Sequence, residues 1–203
     1  MKNSDNKALS EFTRWMMEFN WDPAHMKQVA RLSMRIFDEL EPLHKLSEED
    51  RFILESAAIL HDIGFLSDEK KHHKKAYRLI MEQTFPLISE EQKQMIALTA
   101  RYHRKSPPKM KHKAFRLLDT DDRERIRKMA AVLRLADGLD RSHTNVVEDI
   151  TCRVTRTRIF MNIHTWRNPE AEIYGASKKS KLFKEVFNRD IVFRVTEPEV
   201  QIL

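Results

Sequence analysis

Apolar residues recur along this chain with a helical period up to about residue 141 and with a two-residue period beyond it. A 3.6-residue repeat buries one stripe of a helix, whereas alternation buries one face of a strand, so the two stretches must fold differently. Leu9, Phe12, Met16 and Phe19 are in phase over residues 7–19. Asp22-Pro23 reads as an N-cap followed by proline at the first helical position, and Val29, Leu32, Ile36 and Leu40 carry that helix toward Pro42. Ser47 with Asp50, and Ser89 with Gln92, have capping-box spacing. They open one helix through Leu54, Ala57 and Ala58 and another to about residue 103, with a shorter helix expected near 70–82. Pro107-Pro108 interrupts an irregular stretch over 104–119, and Thr120-Asp121 starts a long helix with Ile126, Ala130 and Leu133 in phase.

Past Gly138 and Asp140 the pattern changes. Ile150, Cys152 and Val154, then Ile159, Met161 and Ile163, and later Ile191, Phe193 and Val195 alternate with polar residues and predict strands. Leu182, Phe183, Val186 and Phe187 form a helical stripe among them. The expected fold class is mainly α: a helical bundle over 1–143, followed by a small α/β unit of a few strands and one helix over 144–203.

Composition removes several functions. At 203 residues and 41% hydrophobic, the chain can bury a core. Its one cysteine excludes a disulfide framework and a Cys-rich zinc site. Its three glycines, Gly64, Gly138 and Gly175, cannot write a GxGxxG or Walker-type nucleotide loop. No apolar run approaches membrane-spanning length, and MKNSDNKALSE has no apolar signal core, so a cytoplasmic protein without a membrane partner is expected. The net charge of +6 points to an acidic partner, either a phosphorylated small molecule or nucleic acid.

Ionisable residues stand where helix faces should be apolar. His25 shares the face of Val29, Leu32 and Ile36; His61 shares that of Leu54, Ala57 and Ala58; Asp137 follows Ala130 and Leu133 by seven and four residues. His61 also brings Asp62 as its neighbour. A buried ionisable group is costly unless paired or metal-bound. Each alone is more commonly a satisfied core residue, and Asp137 has Arg134 and Arg141 as alternative partners. Together, two imidazoles and two carboxylates suit a divalent metal ion (Mn, Mg, Fe, Co or Zn) that keeps water on its open positions.

The order His25, His61-Asp62, Asp137 resembles the HD superfamily of metal-dependent phosphohydrolases, named for the His-Asp doublet. The segments AHMKQVARLSMRIFDEL, AAILHDIGF, IALTARYHRK, AFRLL and VLRLADGLDRSH are similar to the C-terminal HD region of the exopolyphosphatase/guanosine pentaphosphate phosphohydrolase (Ppx/GppA) family. KLFKEVF resembles that family's small C-terminal unit, and the likeness runs from about residue 7 to 196. The resemblance implies an HD-type bundle with a metal held by His25, His61, Asp62 and Asp137, and with Asp62 or Asp137 as catalytic groups that orient or deprotonate a water. It also implies that the polyphosphatase centre of those enzymes lies in an N-terminal actin-like ATPase-type domain, which these 203 residues do not include. In that family the present region is an accessory, dimer-forming part. Ile63-Gly64-Phe65-Leu66 stands where HD hydrolases of guanosine tetraphosphate-type nucleotides carry acidic residues.

Many HD enzymes use further histidines past the doublet, which makes His72, His73 and His103 candidates for a second metal or for phosphate. His44, His112 and His164 have no such context and are expected at the surface. Residues 101–118 hold seven basic residues and no acidic one; without them the chain has 30 basic against 31 acidic residues. From this run Arg101, Arg104 and Lys105, and past Asp137 also Arg141 and His143, are candidate substrate-phosphate ligands. The plainer alternatives are a solvated basic face and a cap on the helix C-terminus by Arg141 and His143.

The expected function is a metal-dependent phosphohydrolase acting through a metal-activated water on a phosphomonoester, nucleotide or phosphoanhydride, polyphosphate included. The alternative is a non-catalytic polyphosphate- or RNA-binding regulatory or dimerisation module. Nucleic acid is the less favoured partner, because Phe115 is the only aromatic within 104–118. A homodimer is a further expectation from the Met- and Phe-rich helical unit.

Overall fold

The computed structural model describes residues 2–19, 21–67 and 70–197, so the last six residues of the C-terminal unit lie outside it. Helices give way to strands where the apolar period changes. The helical part runs α1 (Lys2–Glu18), α2 (Pro23–Glu39), α3 (Glu41–His44), α4 (Glu48–Leu60), a 3-10 turn (Phe65–Ser67), α5 (His72–Glu82), α6 (Glu90–Arg101), α7 (Lys113–Arg116) and α8 (Thr120–Gly138). The rest is β1 (Asp149–Val154), β2 (Arg158–His164), α9 (Glu170–Lys179), α10 (Lys181–Phe187) and β3 (Asp190–Thr196). The molecule is mainly α, with a small three-stranded sheet.

The helix starts follow the capping chemistry. The Asp22 carboxylate accepts the His25 N–H at 3.0 Å, with Pro23 in the first turn of α2. Both capping boxes form reciprocally, Ser47 with Asp50 and Ser89 with Gln92. Asp119, and not Thr120, caps α8, because its Oδ1 accepts the Asp122 N–H at 2.8 Å. α1 begins earlier than its apolar spacing indicates, and Ala8, Phe12 and Met16 bury its inner face. Residues 102–119 are irregular apart from the four-residue α7.

Two expectations are revised. His44 is buried and not at the surface: its Nε2–H donates to the Phe37 carbonyl at 2.8 Å and its Nδ1 accepts the Leu46 N–H at 2.9 Å. Local backbone thus satisfies both ring nitrogens, and burial costs little. His112 and His164 are half-buried and bonded to Tyr102 and to Thr151 and Thr196, respectively. The segment between β2 and β3 also holds α9 in addition to the anticipated helix. α9 buries Glu172, Gly175 and Ala176, so it has no bulky apolar stripe to betray it.

β1 and β2 pair antiparallel, Ile150 opposite Ile163, and β2 and β3 pair parallel, Ile159 opposite Ile191. A parallel pair needs a long crossover, and α9 with α10 supplies it. Ile150, Ile159, Met161 and Ile163 on the inner face are fully buried. β1 lies on α2, while α9 and α10 lie on α8. One apolar cluster therefore continues from α1 through α8 into the sheet and α10, across residue 143. Among the described residues, no helix is long and apolar enough to cross a membrane.

Candidate metal and phosphate site

A cavity of about 200 Å³ opens where the ends of α4, α6 and α8 meet the start of α2 and the end of α9. It is lined by His25, Asp62, Phe65, His72, His103, Arg104, Asp137, Gly138, Arg141, His143, Gly175 and Lys179. Each element delivers its polar residue at the point where its regular hydrogen bonding ends. α4 stops at Leu60, and His61-Asp62 turns there toward Gly64. A Cβ on Gly64 would stand 2.6 Å from the His72 carbonyl oxygen, so the bare glycine lets this turn lie against α5. The Asp62 and His72 side chains are thereby brought to 3.0 Å.

Three histidines are oriented alike. His61 Nδ1–H donates to the Ala58 carbonyl at 2.7 Å, and His103 Nδ1–H to the Ala100 carbonyl at 2.7 Å. His25 Nδ1–H donates to the Asp140 carboxylate at 2.8 Å. A carbonyl only accepts, so in the neutral rings of His61 and His103 the lone pair is on Nε2. This is the arrangement by which outer partners aim metal-binding imidazoles. His25, His61 and Asp62 each offer a ligand atom within 4.8 Å of one another, and so do Asp62, His72 and His103; Asp62 belongs to both groups. His61 Nε2 is buried without a hydrogen-bond partner, and the buried Asp62 Oδ1 faces the His61, His72 and His103 Nε2 atoms at 3.7, 3.0 and 3.3 Å, the His72 ring within hydrogen-bond reach. An orphaned nitrogen this deep is expensive unless another species joins it. An N/O donor set of this kind fits a divalent cation.

Asp137 stands at the edge of this cluster. Its Oδ1 is 3.7 Å from His25 Nε2, and its Oδ2 accepts from Lys179 of α9, in place of the alternatives Arg134 and Arg141. Arg134 instead donates to the carbonyls of Tyr102 and Lys105. His143 stacks on His25 with ring centroids 3.8 Å apart and hydrogen-bonds Asp22 at 2.7 Å. Asp140 is fully buried and also accepts the Asn145 N–H at 3.0 Å.

The charges follow from this packing. Burial alone raises a carboxyl pKa, yet His61, His72 and His103 hold Asp62 well below its ordinary value. Burial is likewise outweighed at Asp137, first by the Lys179 ammonium and then by His103, His61 and His25, so this carboxyl too is held far down. Desolvation pushes His61 down and His103 well down. At His25 burial is outweighed by the Asp140 hydrogen bond and by the charges of Asp137 and Asp62, and its pKa rises.

The structure thus brings His25, His61, Asp62, His72, His103 and Asp137 together, with Arg104, Arg141 and His143 around them. Three candidates stand apart. His73 is buried beside His72 with its Nδ1 unbonded, and burial, the adjacent His72 and the Arg104 guanidinium push it down to about 4, but it belongs to neither ligand group. Arg101 stacks over Tyr77 and Tyr102, and Lys105 is exposed; neither lines the cavity. Sequence reasoning passed over Asp140 and Lys179. Asp140 lies past Gly138, where periodicity stops. Lys179 was marked only by Glu170 and Glu172 in the first turn and Lys178 and Lys179 in the last, the charge order a helix dipole favours.

No curated protein matches the chain significantly. Residues 10–168 match the family model described as Ppx/GppA phosphatase, domain III, which covers well over half of the sequence and the whole cluster from His25 to His143. The chain belongs to the Ppx/GppA phosphatase domain III family.

Proposed function

We propose that this protein is a metal-dependent phosphohydrolase of HD type, acting on a phosphomonoester, nucleotide or phosphoanhydride. The reading rests on one observation: the buried His61 Nε2 has no hydrogen-bond partner, and it and two further imidazole nitrogens converge on the buried Asp62 Oδ1. His25, His61, Asp62 and Asp137 would hold a divalent ion, with His72 and His103 beside Asp62 as ligands for a second. Such an ion supplies Lewis-acid polarisation of a phosphoryl oxygen and a lowered pKa for water. The chain's own part is positional and electrostatic. Ala58, Ala100 and Asp140 fix three imidazoles, so no reorganisation is needed when a ligand arrives. Carboxylates held ionised this firmly are weak bases, so Asp62 and Asp137 serve chiefly to orient an attacking water. Arg104 and Arg141 meet charge developing on the phosphoryl oxygens.

The test is elemental analysis of the purified protein, followed by hydrolysis assays on nucleotides, phosphomonoesters and polyphosphate. Bound divalent metal and metal-dependent release of phosphate are expected; a metal-free, inactive protein under all metals would sink the reading. The basic run 101–118 favours a second reading, a non-catalytic polyphosphate- or RNA-binding module. Binding that survives loss of the His-Asp cluster but weakens steeply with salt would select it.

A further inference from the structure

α9 meets α8 at backbone contact next to Asp137. A Cβ on Gly175 would stand 2.5 Å from the Gly138 carbonyl oxygen, and a Cβ on Gly138 would stand 2.6 Å from the Ala176 Cα. The buried Glu172 fastens the same crossing by accepting the Ser142 N–H at 3.1 Å. Lys179 lies one turn beyond Gly175 on the same helix face, and its ammonium reaches Asp137 Oδ2 at the cavity wall. A lysine ammonium has three N–H donors, of which Asp137 uses one. The side chain keeps 24% of its surface open, and Arg104 and Arg141, from two other segments, line the same cavity. At about 200 Å³ this space is smaller than pockets that enclose whole drug-sized ligands. It suits one phosphoryl group with the remainder of the substrate outside.

We propose that Lys179, delivered by the C-terminal unit, is a substrate-binding residue that holds the terminal phosphoryl group of a phosphomonoester while staying bonded to Asp137. The proposal rests on the phosphohydrolase reading above and adds to it that the helical bundle alone makes an incomplete site. In its absence only Arg104 and Arg141 are left to hold the anion, and Asp137 loses the ammonium that bonds it.

Inorganic phosphate titrated calorimetrically into the full chain, metal-loaded and chelator-treated, tests this. Lys179→Met removes the charge; Lys179→Gln removes it but keeps a donor for Asp137, which guards against misfolding; Lys181→Met, an exposed neighbour, is the control. Both Lys179 variants are expected to keep wild-type metal content and to bind phosphate about tenfold or more weakly, with KM rising more than kcat falls. Lys181→Met should match wild type within about twofold. Unchanged phosphate affinity in both Lys179 variants overturns the inference alone, provided wild type binds metal and turns over. Loss of metal in step with phosphate also overturns it, because Lys179 would then act through Asp137. A wild-type protein that binds neither metal nor phosphate overturns this inference and the phosphohydrolase reading together.

Discussion

The His-Asp cluster and the basic run 101–118 are the two polar features that stand out in the sequence, and the fold treats them differently. The cluster draws six ionisable side chains from five elements and their ends into one buried place. The run spends most of its seven charges on solvent: Lys105, Lys109 and Lys111 are exposed, Arg101 lies on tyrosine rings, and Arg104 alone among them faces the cavity. Charge that is contiguous along the chain repels itself and spreads. Charge placed on an apolar helix stripe has nowhere to go but inward, where it must meet a partner. Polar residues that break a helix period are therefore better pointers to a site than polar residues that accumulate.

The comparison breaks most directly at Asp62. The double variant His61→Ala, Asp62→Ala is expected to lose bound metal and about 10³-fold or more of turnover, several kcal/mol of transition-state stabilisation. Elemental analysis and phosphate release read this, and an active, metal-replete variant would remove the cluster from the chemistry. Asp140→Asn sharpens it next. With the His25 ring no longer aimed by a carboxylate, metal affinity should fall about 10–100-fold in a chelator competition. Within the basic run, Arg104→Met should raise the KM for a phosphomonoester about tenfold, the weight of one charge-assisted hydrogen bond.

Metal-free protein should lose stability as pH drops from 7 toward 4. His61, His103 and His73 have folded-state pKa values below the unfolded value near 6.5, so the unfolded chain binds protons first and acid favours it. His25 has the opposite sign, and its contribution is present in acid and fades as pH rises through its raised pKa. Three lowered imidazoles outweigh one raised, and Asp62 and Asp137 add to the loss only below about pH 4. Urea unfolding at pH 7, 5.5 and 4.5 reads the trend, and a midpoint that climbs into acid contradicts it. The smallest effect is expected at Lys111→Met, within about 0.5 kcal/mol in stability and twofold in KM.

The sequence exposes one half of the site more clearly than the other. His25, His61 and Asp137 are legible because each interrupts a strong apolar stripe, and capping boxes at Ser47 and Ser89 fix the helices that carry His61 and His103. Asp140 is not, because a turn has no period to interrupt. Lys179 is not, because α9 packs by glycine and alanine against α8, and close backbone approach leaves no bulky hydrophobic signature. His44 misleads in the other direction, since its burial is settled by the local carbonyl of Phe37 and not by any site. Arg101 and Lys105 stand beside His103 in the sequence, but Arg101 ends α6 with its side chain over Tyr77 and Tyr102, and Lys105, past the helix end, is exposed.

The Gly138–Gly175 contact also makes residue count matter. With the backbones touching there, α9 can neither slide nor roll on α8, so Lys179 faces Asp137 only because it stands four positions after Gly175. One residue inserted between them would turn the lysine about 100° around the helix and out of the cavity, and α10, which starts at Lys181, would have to absorb the extra residue. The same insertion in the loop before Pro169 would shift nothing past Gly175. The placement of Lys179 in the cavity wall is thus specified as a phase along one helix.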